Sequence, residues 1–153
     1  MAENVELKEF PAYRQAVRDF LAEFEYGQTV SHSWLVARFG LPEADEKMSV
    51  ASFQARQFEW LAAIEAFKSV LLHEHQVMLQ SVRGEGYRWV LPSEQTAAAT
   101  REFERDAGRA FRAVGSRLRN IRASELTDDQ RRENVDAIAK VSMLRGTVRK
   151  QLR

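Results

Sequence analysis

A chain of 153 residues, 44% hydrophobic and 10% aromatic, carries enough apolar material for one domain, or for one small domain with an appendage. It has no cysteine, so a disulfide framework, a thiolate zinc site and a thiol nucleophile are excluded. The net charge of +1 conceals a polarity: residues 1–93 hold nine Lys and Arg against thirteen Asp and Glu, and residues 94–153 hold fourteen against nine.

A basic half of this kind suits a nucleic-acid surface, or an acidic surface on the same chain or on a second copy. The N-terminus is acidic and lacks an apolar run. No stretch approaches the roughly 18 apolar residues of a membrane span. The expectation is a cytoplasmic protein with no membrane partner.

Residues 1–9 are expected to be loose or weakly helical. Pro11 suits a first helical turn. From Ala12 to about Glu25, Tyr13, Val17, Phe20, Leu21 and Phe24 recur at three- and four-residue steps, which predicts an amphipathic helix ended by Gly27. Gln28 to Ser31 reads as a short extended link, and Ser31 caps a helix over His32–Phe39 that packs Leu35, Val36 and Phe39 before Gly40 and Pro42 stop it. Leu41 to Met48, with Glu43, Asp45, Glu46 and Lys47, reads as a solvated loop. Ser49 or Ser52 caps a long helix to about Leu72, with Phe53, Trp60, Leu61, Ile64, Phe67 and Leu71 in one stripe.

His75 to Pro92 carries the period-two pattern of strands on either side of Arg83-Gly84-Glu85-Gly86, where two glycines turn the chain, and Pro92 ends the second run. It predicts one β-hairpin lying on helices, since an isolated hairpin is barely stable in water. The run Ser81-Val82-Arg83-Gly84-Glu85-Gly86-Tyr87-Arg88-Trp89, after three helices, resembles the wing of winged-helix DNA-binding domains, the response-regulator effector type in particular. No receiver domain accompanies it, so a response regulator proper is not expected.

The resemblance implies a winged-helix domain over residues 1–92 with the long helix as recognition helix. Ser52, Gln54, Arg56 and Gln57 would then read base edges, and Arg83 and Arg88 of the wing would touch the backbone. Tyr87 and Trp89 share a strand face, and Trp89 is expected in the core. Against DNA stand the acidic balance of this part and a helix that is not basic, with acidic Glu59 close by, because affinity for DNA comes largely from neutralised phosphates.

Ser93 is expected to cap a helix from about Glu94 to Arg122. Phe103, Ala107, Ala110, Phe111, Val114, Leu118 and Ile121 fall on one arc, with Arg101, Arg105, Arg109, Arg112, Arg119 and Arg122 nearly opposite. Thr127-Asp128-Asp129-Gln130 is a capping box opening a last helix to about Leu152, with Val135, Ile138, Val141, Leu144, Val148 and Leu152 at helical spacing. Two such helices joined by a short turn predict an antiparallel hairpin.

No catalytic constellation is present, and no cofactor is expected. His73-Glu74-His75 lacks the spacing of the helical zinc motif, so helix-end histidines are the better reading and no metal is expected.

The fold expected is mainly α with one β-hairpin: a winged-helix domain (1–92) followed by a helical hairpin (93–153) that dimerises through Phe103, Phe111, Val114, Leu118, Ile138 and Leu144. The function expected is binding of duplex DNA by a non-enzymatic homodimer, a regulator or accessory factor. Ser52, Gln54, Arg56, Gln57, Arg83, Arg88, Arg101, Arg105, Arg109 and Arg112 are its candidate contacts. The alternative is a protein-interaction module that keeps the winged scaffold but docks on a protein partner, which the acidic front part favours.

Overall fold

The computed structural model describes residues 11–153, so the expectation for residues 1–9 lies outside the described residues. The described chain is mainly helical, with five α-helices and one small antiparallel sheet. Its order is α1 (Ala12–Glu23), β1 (Thr29–Ser31), α2 (His32–Phe39), α3 (Val50–His75), β2 (Leu79–Val82), β3 (Gly86–Trp89), α4 (Pro92–Arg119) and α5 (Asp128–Gln151), with a short 3-10 turn at Ala123–Glu125. The described residues divide into two compact units, 11–95 and 96–153.

In the first unit the expected hairpin is one part of a three-stranded sheet of order β1-β3-β2. The stretch read as an extended link is its third strand: Thr29, Val30 and Ser31 pair with Arg88, Tyr87 and Gly86. Hydrogen bonds continue past the named strand, from the Gly27 N–H to the Trp89 carbonyl (2.8 Å) and from the Trp89 N–H to the Gln28 carbonyl (2.9 Å). A three-residue strand shows no period of its own. What fixes it is the free edge of β3, whose N–H and C=O groups need partners when buried.

The hairpin is also shorter than the sequence suggested. Helix α3 runs to His75 rather than Leu72, and Gln76 closes it in a left-handed conformation (φ 55°). The Val77 N–H then bonds back to Leu71, so the ladder begins at Leu79. At the other end Pro92 opens α4 instead of Ser93 capping it; a first-turn position loses nothing from the missing N–H. Helix α4 ends at Arg119, short of Arg122.

The core of this unit gathers one face of each helix over the sheet. Phe20, Leu35, Ile64, Phe67, Leu71 and Val30 are essentially solvent-free, and Trp89 packs with them, as expected for it. The Phe20 ring lies 5.1 Å from Trp89 and 5.8 Å from Phe67, the second pair edge to face, a geometry that adds to the area it buries. Ser31 and Ser49 cap α2 and α3 by accepting from Trp34 and Ser52 N–H groups.

The second unit is two helices side by side. Residues 104–112 of α4 share a groove with 145–153 of α5, and 111–119 share one with 138–145, so the helices run antiparallel. Thr127 and Gln130 form the expected capping box, with the Gln130 N–H on the threonine hydroxyl (3.2 Å) and the Thr127 N–H on the glutamine side chain (3.0 Å). This unit has almost no interior. No residue of α5 is buried, and α4 buries only Ala98 and Gly115.

No helix among the described residues is long and apolar enough to cross a membrane.

Candidate functional site

The expected recognition-helix residues have mostly local duties. Ser52 belongs to the cap of α3, where its hydroxyl accepts from Ser49 (2.9 Å). Arg56 reaches back to donate to the Pro42 carbonyl (2.6 Å) and steadies the loop before the helix. Gln54 is exposed and Gln57 half-buried.

The expected stripe of α3 also breaks in two. Ile64, Phe67 and Leu71 are buried, whereas Phe53 is 45% and Leu61 53% exposed. Val50 (75%) and Phe58 (72%) join these two. The first three turns of α3 therefore show solvent Val50, Phe53, Phe58 and Leu61, with Gln54 and Gln57 between them. The reason is that apolar residues occur all round this helix, so only the turns covered by α1 and α2 lose their exposed side. Exposed carboxylates flank the patch in sequence, Asp45 and Glu46 beside Lys47 in the preceding loop and Glu65 on the same side of the helix, whereas Glu59 falls on the opposite side. Lys68, further along, is held by Glu65 at 3.0 Å.

The two wing arginines differ. Arg88 donates through both terminal nitrogens to Glu94 (3.1 Å each), so its charge is matched. Arg83, at the turn, is exposed and has no carboxylate partner among the described residues. His73 and His75 sit in the last turn of α3, where the His73 ring meets the Ser69 carbonyl (2.8 Å). No metal-binding cluster occurs among the described residues.

The arginines expected to form one face of α4 do not act as one set. Arg105 lies 3.6 Å and Arg109 3.7 Å from Asp106, and Arg122 3.7 Å from Glu125. Arg101 and Arg112 have no such partner among the described residues, and only Arg112 lines the α4–α5 groove. Arg119, a member of the expected arginine face, lines the same pair of depressions with Arg145, Arg149 and Arg153, and these last three were not among the expected contacts. The signal for them was in the sequence: every charged residue of α5 from Lys140 onward is basic.

Of the expected dimer contacts, Phe111 and Ile138 line one groove inside the hairpin, and so are used in packing its two helices. Val114 and Leu118 are half-buried, while Phe103 (54%) and Leu144 (59%) remain largely exposed. No family model, no curated protein and no solved structure matches this chain.

Proposed function

We propose that the chain is a non-enzymatic protein-interaction module on a winged-helix scaffold, in which the first three turns of α3 dock a partner protein. The element order of the first unit and the β1-β3-β2 sheet support the scaffold. The observation that carries the function is the face of α3 itself: Val50, Phe53, Phe58 and Leu61 stand exposed on successive turns. A helix that reads a groove needs polar and cationic side chains there, and contiguous exposed apolar side chains mark a protein contact. The carboxylates flanking the patch define the occupant as an apolar surface with a basic rim. A photo-crosslinking residue at Phe58 would trap it, and the purified partner should then lose affinity for Phe58→Ser and Leu61→Gln. A partner that binds these variants as tightly as the wild type would refute the reading.

A second reading, duplex DNA held by the same unit, rests on Arg83, a cation in the β2–β3 turn with no carboxylate partner among the described residues. It requires affinity that falls steeply with salt and is lost in Arg83→Ala but not in Phe58→Ser.

Under either reading the second unit supports homodimerisation. Two helices without an interior do not hold together well by themselves, and Phe103, Ile121, Val135 and Leu144 are exposed. Both helices carry the same charge gradient: acids occur only up to Asp106 in α4 and up to Asp136 in α5, and every charged residue after those points is basic. Antiparallel packing of a second hairpin sets the acidic half of each helix beside the basic half of its neighbour. Such pairing favours an antiparallel four-helix dimer.

A further inference from the structure

The groove between α4 and α5 has a volume of about 260 Å³ and is lined by Glu104, Ala107, Gly108, Phe111, Arg112, Arg145, Val148, Arg149 and Arg153. Arg119 and Arg145 line its continuation toward the turn. None of these five arginines has a carboxylate partner among the described residues. Five other arginines of the same unit, Arg105, Arg109, Arg122, Arg131 and Arg132, each have one within 4.0 Å. Arg101, Arg117, Lys140 and Lys150, which do not line the groove, also lack such a partner among the described residues, so what sets the groove apart is the gathering of five such arginines along it, with Glu104 the one carboxylate in the lining.

The floor of the groove is built for these guanidinium groups. Gly108 and Gly115 are seven residues apart, so they fall on nearly the same side of α4. Each is followed four residues later by an arginine whose head lies back over it: a Cβ on Gly108 would meet Arg112 Nη1 at 3.4 Å, and one on Gly115 would meet Arg119 Nη1 at 3.1 Å. Side chains of a helix lean toward its N-terminus, and the missing Cβ atoms let these two lie flat. Glycine is the second-worst residue for a helix interior, and here it occurs twice at the same spacing as the arginines.

Along α5, Arg145 and Arg149 stand about 6 Å apart, at 1.5 Å of rise per residue, and Arg153 follows just past the helix end. The helix dipole accounts for a cation only in the last turn, as at Arg119 and Arg149, which leaves Arg112 and Arg145 unexplained by it. Arginine matches phosphate oxygens in a bidentate way, and no lysine lines the groove.

We infer that this groove is a binding site for a row of phosphate groups, gripped by Arg112, Arg119, Arg145, Arg149 and Arg153. The site does not depend on the docking surface of α3. It also stays open in the proposed dimer: Phe103 is nine residues from Arg112, about 180° round α4, so that apolar edge points away from it. Two sources present such a row, a nucleic-acid strand and free polyphosphate.

The test uses the full chain with three probes at low salt: a labelled duplex, a labelled single strand and inorganic triphosphate. Arg112→Gln with Arg149→Gln should weaken the bound probe at least tenfold and lower the salt slope by about two contacts' worth. Gly115→Ala should raise the melting temperature of the helix yet weaken binding several-fold, because the new methyl displaces Arg119. A general loss of structure cannot give that pair of results. Arg132→Gln, which removes a cation paired outside the groove, should leave affinity unchanged.

Binding of triphosphate but of neither nucleic acid would assign the site to free polyphosphate, and would sink the DNA reading without touching the groove. Binding of DNA that the double variant leaves intact and Arg83→Ala abolishes would overturn the groove and keep the wing. Binding of none of the three probes would overturn it outright and leave carboxylate groups as the only anions for these arginines.

Discussion

Gly86, registered opposite Ser31 in the β1–β3 pair, lies so close to Val30 that a Cβ on the glycine would overlap the valine carbonyl. The glycine is there because the backbone of β1 passes where a side chain would be. Gly86→Ala should therefore push β1 off the sheet, at a cost of about 1–3 kcal/mol, the range of overpacking a filled site. Gly84 is the control. A Cβ there meets nothing within 4 Å, but its φ of 77° is left-handed, so Gly84→Ala should cost about 1–2 kcal/mol and leave β1 in place. Urea unfolding followed by tryptophan fluorescence in a chain that keeps Trp89 and carries Trp34→Phe and Trp60→Phe separates the two, since only the first should alter the folded-state signal.

Arg38 ties α2 to α1. One terminal nitrogen reaches Asp19 and the other Glu23, each at 2.8 Å, and its guanidinium lies 5.0 Å from the centre of the Trp34 ring. The side chain is 40% exposed, so water screens the pairs and each contributes little. Arg38→Ala should cost about 1 kcal/mol, with less of the loss seen at high salt. Arg38→Lys should recover only a fraction, because an ammonium cannot fork to two carboxylates and stack on an indole together. Thermal melts of the three proteins at two salt concentrations read this directly.

How far the sequence could be read depended on what each feature does locally. The Arg83–Gly86 turn and the Thr127 capping box are short-range devices, and both form as their residues indicate. Strand β1 is too short to show a period; only its long-range pairing with Gly86–Arg88 makes it a strand. In α3 the difficulty was the opposite. Apolar residues surround the helix, so no wheel could say that Ile64 and Phe67 go inside while Phe58 and Leu61 stay out. The groove was hidden for a third reason. Arg145 falls four residues after Val141 and three before Val148, in line with the seam, so a reading by hydrophobic spacing passes over it.

The capping box makes a local prediction about the second unit. Thr127→Ala removes one partner of the reciprocal pair and should cost about 1 kcal/mol. If that unit is an antiparallel dimer, the cost appears as weaker association, and the melting temperature depends on protein concentration. Phe103→Glu with Leu144→Glu should yield a species of 17.6 kDa in sedimentation, half the mass of the wild type. A wild-type mass already at the monomer value across the accessible concentration range would reject the dimer.

The sharpest contrast in the molecule is between two phenylalanines of α3. Phe67 has no exposed surface and touches the rings of Phe20 and Phe39, so Phe67→Ala removes a filled volume from the centre of the first unit. It should cost about 3–5 kcal/mol, a large part of the stability of a domain this size. Phe58, nine residues earlier, is 72% exposed and takes part in no ring contact. Phe58→Ala should change stability by no more than about 0.5 kcal/mol. Were Phe58 an ordinary surface residue, its loss would have no further effect; as the anchor of a docking face, it should cost the partner complex about 2 kcal/mol or more, the loss typical of a buried aromatic at an interface centre. Parallel urea titration and calorimetric binding of the two variants measure both quantities. A Phe58→Ala protein as stable as the wild type and equally able to bind the crosslinked partner would leave the exposed face of α3 with no role in docking.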